Sequence, residues 1–286
     1  MRKINELNPT PEGYYVTEKI YYEPQKGEIE LALSAFACGL HLAIDGPTGS
    51  GKSTFAKRIA YLLGKGYKEI PKLKSEKTTK LLLDKIEPYR ETGFPLYLVS
   101  CNEDLAADDL IGREVGMNED WLNGQALLGA KHGGIIYLDE PAEARKDTLV
   151  VIHPLADERA TVSVPKLGYV EECKKPHMII MTYNSMYQDP RKKFKPSTAQ
   201  RFIHEYLGYP EESLELKIIK EKTGIDTNLA KRIIMIAKET RNLAEQRKAN
   251  IIAFPDYRVG IEDKRLVDQI DAELERLQIE EGKKVA

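Results

Sequence analysis

The chain has 286 residues, 42% of them hydrophobic and 31% charged, the profile of an ordinary soluble globular protein with one large domain or a domain plus a small appendage. A formal net charge of −2 excludes a strong overall basic field for nucleic acid and leaves only local patches. Apolar runs such as residues 178–181 are too short to cross a bilayer, and the charged start Met1-Arg-Lys-Ile-Asn-Glu6 has no apolar signal core, so no membrane insertion and a cytoplasmic location are expected.

In chain order, residues 1–26 are rich in Tyr, Pro and Glu and read as an extended arm, and residues 28–38 have helical character. Leu40-His-Leu-Ala-Ile-Asp45 is a short apolar run of the kind a buried parallel strand needs. A helix is expected over 53–63, and a second around 79–86 within a lysine-rich segment. Leu96-Tyr-Leu-Val-Ser100, Ile135-Ile-Tyr-Leu138 and Met178-Ile-Ile-Met-Thr182 read as further buried strands. Residues 161–164 and 169–171, split by Pro165 and Gly168, suggest a hairpin. Strands alternating with helices predict a doubly wound α/β core with a five-stranded parallel sheet and helices on both faces. Near Gly208-Tyr-Pro210 the composition changes, and the rest reads as helix. Leu266, Ile270, Leu274 and Leu277 form one apolar helical stripe, read as a packing face. Two domains are therefore expected, 1–208 (with the arm 1–26) and 209–286. Cys38, Cys101 and Cys173 show no Cys-x-x-Cys spacing. They argue against structural zinc or a disulfide framework and read as three buried small hydrophobes in a reducing compartment.

Gly46-Pro47-Thr48-Gly49-Ser50-Gly51-Lys52-Ser53, followed by Thr54, matches G-x-x-x-x-G-K-[ST] completely, with a buried strand before it and a helix after it. Glycines let backbone N–H groups turn inward around phosphates. Lys52 supplies a cation for the β- and γ-phosphates, Ser53 a hard oxygen for Mg²⁺, and the helix that follows points its positive end at the anion. ATP and Mg²⁺ are the expected cofactors.

A second apolar strand ends in Asp139 and Glu140. Strand ends in such sheets border the ligand crevice. Asp139 fits an acid that holds Mg²⁺ through its hydration shell, and Glu140 one that polarises an attacking water. On their own the two acids fit a helix cap equally well; the phosphate loop upstream favours hydrolysis. Asn184 ends another strand and fits both a turn residue and a group that bonds the attacking water or the γ-phosphate. A small-molecule kinase would need an acceptor site. A GTPase would need an Asn/Thr-Lys-x-Asp segment, which the chain lacks. A nucleic-acid-stimulated motor rests only on Lys65, Lys68, Lys72, Lys74, Lys77 and Lys80, a set that more often forms a solvated face.

Read together, these residues resemble the AAA+ ATPases of the MoxR group, in the CbbQ/NorQ branch. The resemblance spans roughly 20–243 and includes Asp109-Leu-Ile-Gly-Arg113, Trp121-Leu-Asn-Gly124, Glu143-Ala-Arg-Lys-Asp147, Val151-Ile-His-Pro-Leu155, Tyr187-Gln188 and Lys195-Pro-Ser-Thr-Ala-Gln-Arg-Phe202. It implies a P-loop NTPase (AAA+) core and a helical lid after Pro210. It implies that Asn184 is the sensor residue and that Arg201 is an arginine finger reaching a neighbouring subunit's ATP. It also implies a hexameric ring that works with a von Willebrand A-type adaptor on a metalloenzyme client. Three departures stand out. Ala199 occupies the place of a second arginine. The segment 65–94 is longer than its counterpart. The sensor-two motif is absent, with Arg258 as a loose nucleotide-binding candidate.

Overall fold

The computed structural model describes residues 6–7, 10–116, 120–185 and 194–247. The strands are β1 (Tyr15–Val16), β2 (His41–Asp45), β3 (Phe94–Ser100), β4 (Gly112–Val115), β5 (Asp120–Asn123), β6 (Gly134–Asp139), β7 (Thr161–Val164), β8 (Tyr169–Glu172), β9 (His177–Tyr183) and β10 (Phe202–Tyr206). The helices are α1 (Glu28–Ala37), α2 (Lys52–Leu62), α3 (Glu76–Ile86), α4 (Ala107–Ile111), α5 (Gln125–His132), α6 (Pro196–Ala199), α7 (Glu212–Thr223) and α8 (Thr227–Arg247).

Apolar runs that are buried on both faces must satisfy their backbone groups through neighbours, and here they pair in parallel. The sheet order is β1-β3-β6-β9-β2-β10. Its five parallel strands run from β3 to β10. The expected five-stranded core gains a sixth member, because two residues of the arm, β1, add antiparallel to the outer edge of β3. The register sets Asp139 opposite Ser100 on one side and Thr182 on the other, and Asp45 opposite Tyr183 and Tyr206. Parallel strands end together, so the segments leaving β2, β6 and β9 emerge along one edge of the sheet.

Side chains alternate between the two faces of each strand. Ile135, Tyr137, Met178, Ile180, Leu42 and Ile44 join one core with Leu33, Phe55, Ile59 and Leu82 from α1, α2 and α3. Ile136, Leu138, Ile179, Met181 and Ala43 join the opposite core with Leu127 and Leu128 from α5. The helix expected around 79–86 begins earlier, at Glu76, where the Ser75 hydroxyl accepts from the Thr78 N–H at 3.3 Å and caps the first turn. All six lysines from Lys65 to Lys80 are exposed. The hairpin of β7 and β8 pairs as expected, while the β4–β5 hairpin adds a pairing that the sequence did not suggest. The reading of three buried cysteines is corrected: Cys101 is buried, Cys173 is half-buried, and Cys38, just past the end of α1, is exposed.

Two compact units divide the chain, Met1–Leu214 and Glu215–Ala286. The second has its own small core of Ile219, Ala230 and Ile234. There the buried Glu215 receives both ends of the Arg241 guanidinium, at 2.6 and 3.1 Å, the paired geometry that a buried carboxylate needs. The stripe from Leu266 to Leu277 lies outside the described residues. Among the described residues, no helix is long and apolar enough to cross a membrane.

Candidate functional site

The loop after β2 is held between two strands. The Gly46 N–H donates to the Tyr183 carbonyl at 3.2 Å, and the Leu207 N–H donates to the Asp45 carbonyl at 2.8 Å. A Cβ on Gly46 would stand 2.1 Å from the Leu207 carbonyl oxygen, so only glycine lets the chain pass there. Gly49 and Gly51 take left-handed φ values of 81° and 95°, which cost a side-chain-bearing residue about 1–2 kcal/mol. Gly51 leads directly into α2, and among the described residues no side chain caps that helix. Its first N–H groups remain available to an anion.

Lys52 is buried, and its Nζ donates to the Gly46 and Pro47 carbonyls at 2.6 and 2.9 Å. Burial pulls its pKa down, against the opposing pull of Glu140, Asp139 and Asp45. The Ser50 hydroxyl is buried in the same loop without a hydrogen-bond partner. An orphaned hydroxyl and uncapped amides around an ammonium form a donor set suited to phosphate oxygens.

Asp139 ends β6, and its Oδ1 accepts from Thr182 Oγ1 at 2.8 Å and from the Tyr137 hydroxyl at 2.9 Å. The Tyr137 hydroxyl also lies 3.0 Å from Ser53 Oγ. Ser53 is exposed and Asp139 is half-buried, and these two hard oxygen donors, bridged by one phenol, suit a small divalent cation. Glu140 follows with a left-handed φ of 52°, rare for a residue with a side chain and concentrated at functional sites. Its N–H donates to the Thr182 carbonyl at 2.8 Å. Burial raises the Glu140 pKa; Lys52 opposes the rise, Asp139 and Glu143 add to it, and a bond from the Asn184 backbone N–H also opposes it. The buried Asn184 donates from Nδ2 to Thr48 Oγ1 at 3.4 Å, tying the end of β9 to the phosphate loop. The Tyr209 hydroxyl donates to the Thr48 carbonyl at 3.0 Å.

The structure thus brings residues 46–54, Asp139, Glu140 and Asn184 to one sheet edge. Arg201 is not among them: its Nη2 and Nε lie 3.3 and 3.4 Å from Asp157 Oδ2, and its Nη1 donates to the Ser197 carbonyl. Arg159 grips the same carboxylate at 2.7 and 3.0 Å. Arg258 lies outside the described residues. Sequence reasoning missed Tyr137, Thr182 and Tyr209. The first two carried a signal, since a hydroxyl two residues before a strand-end acid, or level with it on the next strand, shares its face.

This parallel sheet, with a phosphate loop after β2 and paired acids two strands away at the end of β6, defines a P-loop ATPase of the AAA+ class. Residues 74–202 match the AAA domain (dynein-related subfamily). Protein CbbQ of Hydrogenophilus thermoluteolus is 36% identical over 232 residues, covering 80% of this chain and 76% of that one. Protein NorQ of Paracoccus denitrificans is 32% identical over 237 residues, covering 82% and 77%. The denitrification regulatory protein NirQ of Stutzerimonas stutzeri is 32% identical over 227 residues, covering 79% and 72%. The chain belongs to the CbbQ/NirQ/NorQ family of AAA+ ATPases.

The tight passage at Gly46 is testable. Gly46→Ala forces a Cβ against a backbone carbonyl that cannot swing aside, at a cost of about 1–3 kcal/mol. Urea unfolding should show a lower midpoint, and an unchanged midpoint would contradict the close approach.

Proposed function

We propose that the chain is a Mg²⁺-dependent ATPase that uses its hydrolysis cycle to activate or regulate a partner enzyme. The observation that carries the reading is Glu140. A loop that only held nucleotide would have no use for a second acid beyond Asp139, yet Glu140 stands in the field of Lys52 and Asp139 in a strained backbone conformation. The name of one relative, a denitrification regulatory protein, supports action on other proteins. In this reading the partner is a metalloenzyme reached through a von Willebrand A-type adaptor. The working form is a hexameric ring in the cytoplasm. Residues 1–208 are the nucleotide-binding domain, and residues 209–286 form a helical lid.

Each residue then has a chemical task. Lys52 and the N–H groups of residues 46–54 bind the phosphates. Ser53 and Asp139 would supply oxygens to the cation. When bound, Mg²⁺ neutralises charge on the phosphate oxygens. Glu140 takes a proton from water, and burial raises its proton affinity for that task. Asn184 orients the water or the γ-phosphate. Arg201 completes the ATP site of the neighbouring subunit, with Asp157 fixing its direction until it engages.

Lys52→Ala should abolish ATP binding. Glu140→Gln should keep it but slow turnover by ~10²-fold or more, since an amide is no base. Equilibrium binding and steady-state phosphate release on both variants check this; undiminished hydrolysis by Glu140→Gln would remove that residue from the mechanism. If label from γ-labelled ATP moved onto a small molecule and not to free phosphate, a kinase would be indicated.

Arg201→Ala rings should bind ATP yet hydrolyse it slowly, because such a finger contributes ~10³–10⁵ in rate where measured in GTPases. Glu140→Gln rings fail for a different reason. Unfolded together and reassembled, the two variants form interfaces that pair an intact Glu140 with an intact Arg201. Activity well above the sum of the separate variants is expected. Mixed rings that form and stay inactive would show that Arg201 does not act across the subunit boundary.

A further inference from the structure

Tyr137 occupies a position where an aliphatic residue would fill the strand as well. Its ring is buried in the core shared with α2, yet its hydroxyl is committed to three polar atoms. Ser53 Oγ lies 3.0 Å away, Asp139 Oδ1 2.9 Å and Thr182 Oγ1 2.8 Å. The contacts follow from strand parity. Tyr137 and Asp139 are two residues apart on β6 and share a face, and Thr182 is the register partner of Asp139 on β9. That face is the one on which α2 packs, and Ser53 is the second residue of α2.

We propose that Tyr137 is a positioning residue for the divalent cation, acting through Ser53 and Asp139 without touching the ion. The protons available to the cluster are few. Thr182 donates to Asp139 Oδ1. The phenol has one proton, and both Ser53 Oγ and Asp139 Oδ1 stand where they accept it. With either acceptor Ser53 Oγ keeps a lone pair for a cation, and Asp139 keeps Oδ2 without a hydrogen bond among the described residues. The phenol also spans α2 and β6, fixing the separation of two donors that come from different elements. Without it, Ser53 is free to rotate and Asp139 loses one of its two donors.

The inference rests on reading residues 46–53 as a nucleotide cradle, and the test separates the two. Tyr137→Phe removes one oxygen and keeps the ring. Binding of a fluorescent ATP analogue is measured in EDTA and across a Mg²⁺ titration, for the parent and the variant. Groups that orient metal ligands typically contribute 10–100-fold in metal affinity. The Mg²⁺ midpoint should therefore rise by about 10-fold, with affinity in EDTA unchanged. A merely structural role would weaken binding equally with and without the cation, and that result overturns the proposal, as does an unmoved midpoint. If Tyr137→Phe does not fold, Thr182→Val, which removes the other donor to Oδ1, must show the same selective shift; an unmoved midpoint there overturns the proposal as well. A parent protein that binds no nucleotide, or a Lys52→Ala variant that binds it undiminished, would overturn the cradle reading itself.

Discussion

Two backbone hydrogen bonds hold the turn out of β2: the Gly46 N–H to the Tyr183 carbonyl, and the Leu207 N–H to the Asp45 carbonyl. They stitch the start of the phosphate loop between β9 and β10, the strands that flank β2. The rest of the site inherits its position from that seam. β9 carries Asn184 just past its end, and its register with β6 brings Asp139 level with Thr182. A one-residue slip of β2 would turn Leu42 and Ile44 to the opposite core and carry the loop away from both acids. The site is therefore anchored to the sheet core, where Ile135, Ile136, Ile179 and Ile180 are fully buried.

Within that frame the central electrostatic problem is a buried ammonium. Removing a charge from water costs several kcal/mol unless it is paired and bonded. Lys52 meets this with two loop carbonyls and three carboxylates in its field, Glu140, Asp139 and Asp45. The carbonyl bonds curl the lysine onto its own loop, so an arriving phosphate takes over contacts that already exist in kind. Glu140 answers the reverse problem. Its burial raises its pKa, and the charge of Lys52 opposes the rise. Its left-handed backbone costs of the order of 1–3 kcal/mol and is held by the bond to the Thr182 carbonyl.

Much of this was legible in the sequence. β2, β6 and β9 read as short apolar runs because both of their faces are buried, and β3 reads as one although its second face is partly open at Leu98. The phosphate loop and the acids ending β6 read through local spacing alone. What escaped depends on contacts between distant residues. β1 is two residues long and exists only because β3 offers an edge. The β4–β5 strands, with exposed Arg113 and Glu114, carry no apolar alternation to betray them. Tyr137 read as one more apolar residue because its ring is apolar, and only the register reveals what its hydroxyl meets. The carboxylate of Asp157 is local to Arg159 but 44 residues from Arg201, and nothing near Arg201 in the sequence announces that contact.

The central claim is that one edge of the sheet gathers a loop, two acids and an asparagine into a single ATP site. A crystal or cryo-electron microscopy structure with Mg²⁺ and a non-hydrolysable ATP analogue tests it most directly. The account predicts the γ-phosphate within hydrogen-bonding reach of Lys52 Nζ, with Glu140 and Asn184 facing it and the Ser50 hydroxyl newly bonded. An analogue seated elsewhere, with Lys52 still bound to the Gly46 and Pro47 carbonyls, would contradict it.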